Sequence, residues 1–252
     1  MMVLHIAARE LRSLFLSPLA WSVLAVVQFI LAYMFLAQVD AFTSLQAQLA
    51  NIEGAPGLTE IIVVPLFGNA GIVLLLVVPL LTMRLISEER RNQTLSLLFS
   101  APVSMTEIIL GKYFGVLAFL LVMLGLIALM PLSLTLGGSL DFGMFAAGLL
   151  GLALLVATFA AIGLFMSTLT IQPTVAAVST FGALLLLWII DWAGSSGGDT
   201  VSPLFSYISI LRHYEPLLKG LFDSSDVIYY LLCIALFIGL SIRRLDVDRL
   251  QN

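Results

Sequence analysis

Charge is scarce in this chain of 252 residues, with Asp, Glu, Lys and Arg together only 10% against about a quarter in soluble domains. With 61% hydrophobic residues and a mean hydropathy of +1.12, a water-soluble enzyme is excluded. One cysteine, Cys233, leaves no intrachain disulfide and no cysteine metal cage. The two histidines, His5 and His213, fall on segments expected at opposite membrane faces. No His-Glu-x-x-His pattern or carboxylate cluster accompanies them, so metal and acid-base chemistry lack a site. A phosphate-binding loop is missing too: Gly111-Lys112 is followed by Tyr113 and lacks the upstream glycine, so ATP must bind elsewhere. Eleven basic residues against fifteen acidic ones, net −4, give no nucleic-acid footprint.

What is there is long charge-free apolar runs. About 20 residues at about 1.5 Å each cross a bilayer core, and six stretches fit, at about 18–39, 61–83, 113–136, 142–169, 174–190 and 227–242. Residues 142–190 hold no charge at all and must fold into two spans, with Ile171-Gln172-Pro173 as the hairpin. The expected fold is all-α, a single polytopic membrane domain over 1–252. None of the six stretches carries a charge, which disfavours coupling to a proton gradient.

Nine of the eleven basic residues fall before span one, between spans two and three, or after span six; Arg212 and Lys219 are the exceptions. An even span count with this bias predicts both termini in the cytoplasm. The first apolar stretch is long and has no small-residue cleavage site after it, which favours a retained anchor over a signal peptide.

Residues 3–16 read as an interfacial helix. Leu4, Ala7, Ala8, Leu11, Leu14 and Phe15 share one face, His5, Arg9, Arg12 and Ser13 the other, and Ile6 alone is out of place. Ser17-Pro18 breaks it before the chain enters the bilayer. Span two carries Pro65, Gly68, Asn69, Gly71 and Pro79, which predicts a bent or partly unwound helix towards an interior. Gly111 and Gly115 have GxxxG spacing but lie at a membrane boundary, so no dimer seam is read from them.

The segment between spans two and three is the most informative. Glu88, Glu89, Arg90 and Arg91 make a mixed-charge turn at the membrane exit, expected to anchor a docking loop. Thr94 to Ser100 then suit a short helix presenting Leu95, Leu98 and Phe99, stopped before Pro102. Ser104-Met-Thr-Glu107 is a capping box opening the next helix. A short helix with an apolar knob suits docking to a cytoplasmic partner, whereas composition alone slightly favours a solvated connector.

Ser87-Glu-Glu-Arg-Arg-Asn-Gln-Thr-Leu-Ser-Leu-Leu-Phe-Ser-Ala-Pro-Val resembles the signature of ABC-2 type transporter permeases. That signature has an acidic-basic pair, Gly-Thr-Leu-Glu, then Leu-Leu and a proline. Gln93 stands where that family usually has glycine, and Ser96 where it often has glutamate. Arg9-Glu-Leu-Arg, Pro79-Leu-Leu-Thr-Met-Arg84 and His213-Tyr-Glu-Pro extend the likeness over nearly the whole chain, towards the gliding-motility GldF-type branch.

The resemblance implies an elbow helix, six spans, a coupling helix between spans two and three, and an external re-entrant element between spans five and six. It also implies a permease subunit, an exporter, in the bacterial inner membrane among membrane lipids. Partners would be two cytoplasmic ATP-binding subunits carrying ATP and Mg, with no cofactor on this chain, and a second permease. That second permease is either another copy or a GldG-like protein with an extracytoplasmic domain.

The apolar stretch from Pro203 to Leu211, with Phe205 and Tyr207, is too short to span. By resemblance it is the re-entrant element, followed by Arg212, His213 and Glu215, which either gate a path, pair with one another or face water. The competing readings of the whole chain are a passive channel or scramblase, a membrane enzyme, and an anchor for an envelope or motility assembly.

Overall fold

The computed structural model describes residues 2–49, 57–95, 103–137, 139–196 and 209–251. Among them every regular element is helical. The chain runs through α1 (Met2–Leu16), α2 (Pro18–Leu49), a π-helical turn (Thr59–Val63) leading into α3 (Val64–Thr82), and α4 (Ser87–Arg91). It continues through α5 (Met105–Ser133), a 3₁₀ turn (Leu134–Leu136), α6 (Phe142–Leu169), α7 (Pro173–Ser196), α8 (Ile210–Leu218) and α9 (Ser224–Gln251). Among the described residues six helical stretches are long and apolar enough to cross a membrane: Pro18–Leu45, Thr59–Arg91, Met105–Leu136, Phe142–Leu169, Pro173–Ile190 and Ser224–Leu250.

The charge-free run of residues 142–190 breaks at 170–172, and α7 opens on Pro173, whose missing N–H costs nothing at a helix start. Helix ends are less faithful to apolarity. α2 continues past Asp40, and α9 begins before and ends well beyond its apolar stretch, because backbone hydrogen bonding carries a helix onward into polar sequence. The irregularity expected from Pro65 lies just ahead of it: the Val64 N–H bonds the Thr59 carbonyl, five residues back.

α6 is the hub of the bundle, packed against α3, α5, α7, α8 and α9. Small residues allow this where apolar burial supplies little drive between membrane helices. At Gly163 an added Cβ would collide with Thr82 Oγ1, so α3 and α6 meet there at backbone range. The Tyr113 hydroxyl donates to the Ala157 carbonyl at 3.1 Å and ties α5 to the same helix. α2, α7 and α9 are the peripheral helices, with Phe29, Tyr33, Val178, Leu186 and Leu232 all more than half exposed.

α1 lies along the start of α5. Its packed face is rotated from the one periodicity suggests: Leu4 is 73% exposed, while Ile6, the residue out of place in the sequence, meets Gly111. A Cβ on Gly111 would be 2.6 Å from Ile6, and one on Gly115 2.6 Å from Glu10 Cβ. The GxxxG pair is therefore a notch that seats α1 within the chain.

Candidate functional site

At one end of the bundle, α1, α4, the start of α5 and the last turns of α9 converge. α4 is only five residues long and is set by its flanks. The N–H groups of Ile86 and Ser87 both donate to Ser167 Oγ, at 3.0 and 3.1 Å, which fixes the start of α4 to the end of α6. Ser167 Oγ and Ser87 Oγ in turn donate to the Met83 carbonyl.

The end of α4 is a Schellman motif. The Thr94 N–H reaches the Glu89 carbonyl at 3.0 Å and the Gln93 N–H the Arg90 carbonyl at 3.2 Å. This closure demands a left-handed residue at Gln93, whose φ is +57°. The same closure ends α8, where Leu221 bonds Pro216 and Gly220 bonds Leu217, and there the left-handed position, φ +78°, is a glycine.

Held this way, α4 points alternate charges in two directions. Glu89 Oε1 accepts from Lys112 Nζ at 2.9 Å, and Lys112 also donates to Glu10 Oε2 of α1 at 3.3 Å. Lys112 is 3% exposed, so its ammonium relies on those two carboxylates in place of water. Arg90 pairs with Asp248 of α9, which Arg244 approaches at 3.6 Å. Glu88 and Arg91, by contrast, are exposed and line a groove with Arg84. Thr94 closes its own turn, Oγ1 donating to the Glu89 carbonyl at 3.3 Å. Beyond it, Ser104 and Glu107 form the reciprocal capping box at 3.2 and 3.1 Å that starts α5.

A family model for the ABC-2 family transporter protein matches residues 4–249, nearly the entire chain. The chain belongs to the ABC-2 transporter family. It is thus a multi-pass membrane protein and a permease component of an ABC transporter, a class that works with ATP-binding subunits and as paired permeases. No curated protein matches the chain.

On this ABC-2 permease the residues singled out in the sequence separate clearly. Arg9 and Arg12 are exposed on α1, on the side away from α5. Leu95 is buried, so it faces the bundle and is not presented as part of an apolar knob. Leu98, Phe99 and Pro102 lie outside the described residues, as do Pro203, Phe205 and Tyr207.

At the opposite end, Arg212 and Glu215 are exposed on α8 while His213 is buried. His213 pairs with neither of them: its Nδ1 lies 2.7 Å from Asp226 Oδ1, and its ring stacks on Tyr229 with centroids 4.0 Å apart. Asp226 is thereby used across elements, and Asp223 caps α9 by accepting from the Ser225 N–H at 3.0 Å. That bond holds the Asp223 carboxyl below its ordinary range. Tyr214, also on α8, donates to the Phe67 carbonyl at 2.8 Å; burial raises its phenol well above the ordinary range.

Sequence reasoning missed Glu10, Lys112, Ser167 and Asp248. One signal was available for Glu10: it stands four residues after Ile6, so the residue that broke the apolar pattern and the acid share a face.

Proposed function

We propose that this ABC-2 permease is the membrane subunit of an ATP-driven exporter, docked to a separate ATP-binding subunit through the segment that follows α4. The observation that carries the reading is the double tether of α4. Glu89 reaches α5 and α1 through Lys112, and Arg90 reaches α9 through Asp248. A push on residues 94–102 is therefore delivered to three helices at once, and through Ser167 to α6 as well. Glu89 and Arg90 are the anchor; Leu98 and Phe99 are the docking residues. Closure of two ATP-binding subunits around ATP and Mg would move this segment and shift the spans around a path between two permeases.

The proposal includes both termini in the cytoplasm, a bacterial inner membrane location, and membership of the GldF-type branch. Its second permease is then either another copy or a GldG-like partner with an extracytoplasmic domain. The residue order from Ser87 to Val103 and the basic bias around the terminus-bearing end support these assignments.

The test is affinity purification of the tagged chain from native membranes in mild detergent, with mass spectrometry and an ATPase assay. Recovery of a soluble subunit bearing a phosphate-binding loop, lost with Leu98→Asp/Phe99→Asp, is the expected outcome. A chain recovered alone, or with envelope proteins and no ATPase, would favour the channel or anchor reading.

A further inference from the structure

Three charges on and beside α4 take no part in its tether. Glu89, Arg90, Lys112, Glu10 and Asp248 are ion-paired, whereas Arg84, Glu88 and Arg91 make no ion pair with another described residue. These three line one open groove of about 510 Å³, whose other wall is Gln172 and Thr174 at the α6–α7 hairpin. Since a water occupies about 30 Å³, the space is far larger than a single ion needs. Two guanidinium groups against one carboxylate make its lining net positive, with amide and hydroxyl groups opposite.

The groove sits at the ends of two spans that pack side by side, α3 and α7. An exposed apolar stripe leads away from it on each. On α3, Ile72, Leu76 and Leu80 recur every four residues at 50, 53 and 42% exposure, and Arg84 is the next residue at that interval. On α7, Val175 and Val178 are 48 and 71% exposed and adjoin Thr174. A polar, cationic pocket at a span boundary, with apolar tracks running from it along the spans, matches one kind of molecule in both its parts. Arginine binds phosphate oxygens in a planar fork, and basic pockets between membrane helices suit anionic headgroups.

We infer that the groove between α4 and the α6–α7 hairpin is a binding site for an anionic glycerophospholipid of the surrounding bilayer. Arg84 and Arg91 hold the phosphate, and Gln172 and Thr174 donate to its oxygens. Glu88 accepts from a hydroxyl or ammonium of the headgroup, and the acyl chains lie along the α3 and α7 stripes. The inference does not depend on the transport reading, since its readout is lipid retention and not ATP turnover.

The test uses the full-length chain, with any partner that co-purifies, titrated in mild detergent with phosphatidylglycerol and followed by native mass spectrometry. Diacylglycerol supplies chains without phosphate, and inorganic phosphate supplies the anion without chains. The wild type is expected to retain phosphatidylglycerol and not diacylglycerol. R84Q/R91Q should weaken retention about tenfold or more, R84K/R91K, which keeps the charge but loses the planar fork, should fall between it and the wild type, and R249Q, an exposed arginine outside the groove, should match the wild type. Thermal melting of each variant separates lost binding from lost fold. Equal retention by folded R84Q/R91Q, or displacement of the lipid by millimolar inorganic phosphate, would overturn the site.

Discussion

Lys112 Nζ lies 2.9 Å from Glu89 Oε1, and this pair joins the segment leaving α3 to the first turns of α5. With Glu10 at 3.3 Å on its other side, the ammonium is satisfied only as long as α1 and α4 both stay in place. Removing one partner of such a group leaves charge poorly solvated, at about 2–3 kcal/mol when the partners are partly open to water. Lys112→Met is expected to lower the melting temperature and to loosen α1 and α4 together, seen as faster hydrogen exchange in both. The triple change Lys112→Met/Glu10→Gln/Glu89→Gln should recover much of the stability, because no unpaired charge remains.

Gln93 has a conformation that a glycine would adopt more cheaply. A side chain in the left-handed region costs roughly 1–2 kcal/mol, and glycine returns about 0.5–1 kcal/mol of that as chain entropy. Gln93→Gly is expected to stabilise the permease by about 0.5–1 kcal/mol, and Gln93→Val, β-branched, to destabilise it, both read by thermal melting. The position where the family usually has glycine is the one at which α4 must close its Schellman turn.

The notch at Gly111 predicts a local effect. A methyl there would meet Ile6 Cβ and Cγ2 at 2.6 Å, and overpacking of this kind costs about 1–3 kcal/mol. Gly111→Ala should raise hydrogen exchange across Met2–Leu16 while leaving α6 and α8 unchanged. Gly125→Ala, where nothing lies within 4 Å of the added carbon, is the silent control.

At the other end, the buried pair of His213 and Asp226 holds α8 against α9. Asp226→Ala removes the carboxylate that meets the imidazole and is expected to cost about 1–3 kcal/mol. Exchange should rise over Ile210–Leu218. His213→Phe/Asp226→Leu should do less harm than Asp226→Ala alone, because the aromatic ring can still stack on Tyr229 and neither member of the buried pair is left facing the other's absence.

What could be read from the sequence was whatever is set locally. The break at 170–172 follows from charge-free length and one proline, and the Ser104–Glu107 box from spacing alone. The pairings were not legible. Whether Asp226 caps its own helix or meets His213 thirteen residues earlier depends on where α8 lies, which periodicity does not encode. Likewise, Gly111 and Gly115 announce a close approach without saying whether the helix that fills it belongs to another subunit or, as here, to residues 2–16 of the same chain. Leu95 looked like a presented knob because an apolar residue in a short polar segment has no visible core to enter; the bundle supplies one.

In the proposed transporter the segment following α4 docks an ATP-binding subunit. The direct measurement is photo-crosslinking in native membranes from a probe amino acid at Phe99, compared with one at Arg212 at the far end of the bundle. An adduct is expected from position 99 to a soluble subunit carrying a phosphate-binding loop, and no such adduct from position 212. An adduct from 212 instead, or none from 99 with the chain inserted and folded, would contradict that docking.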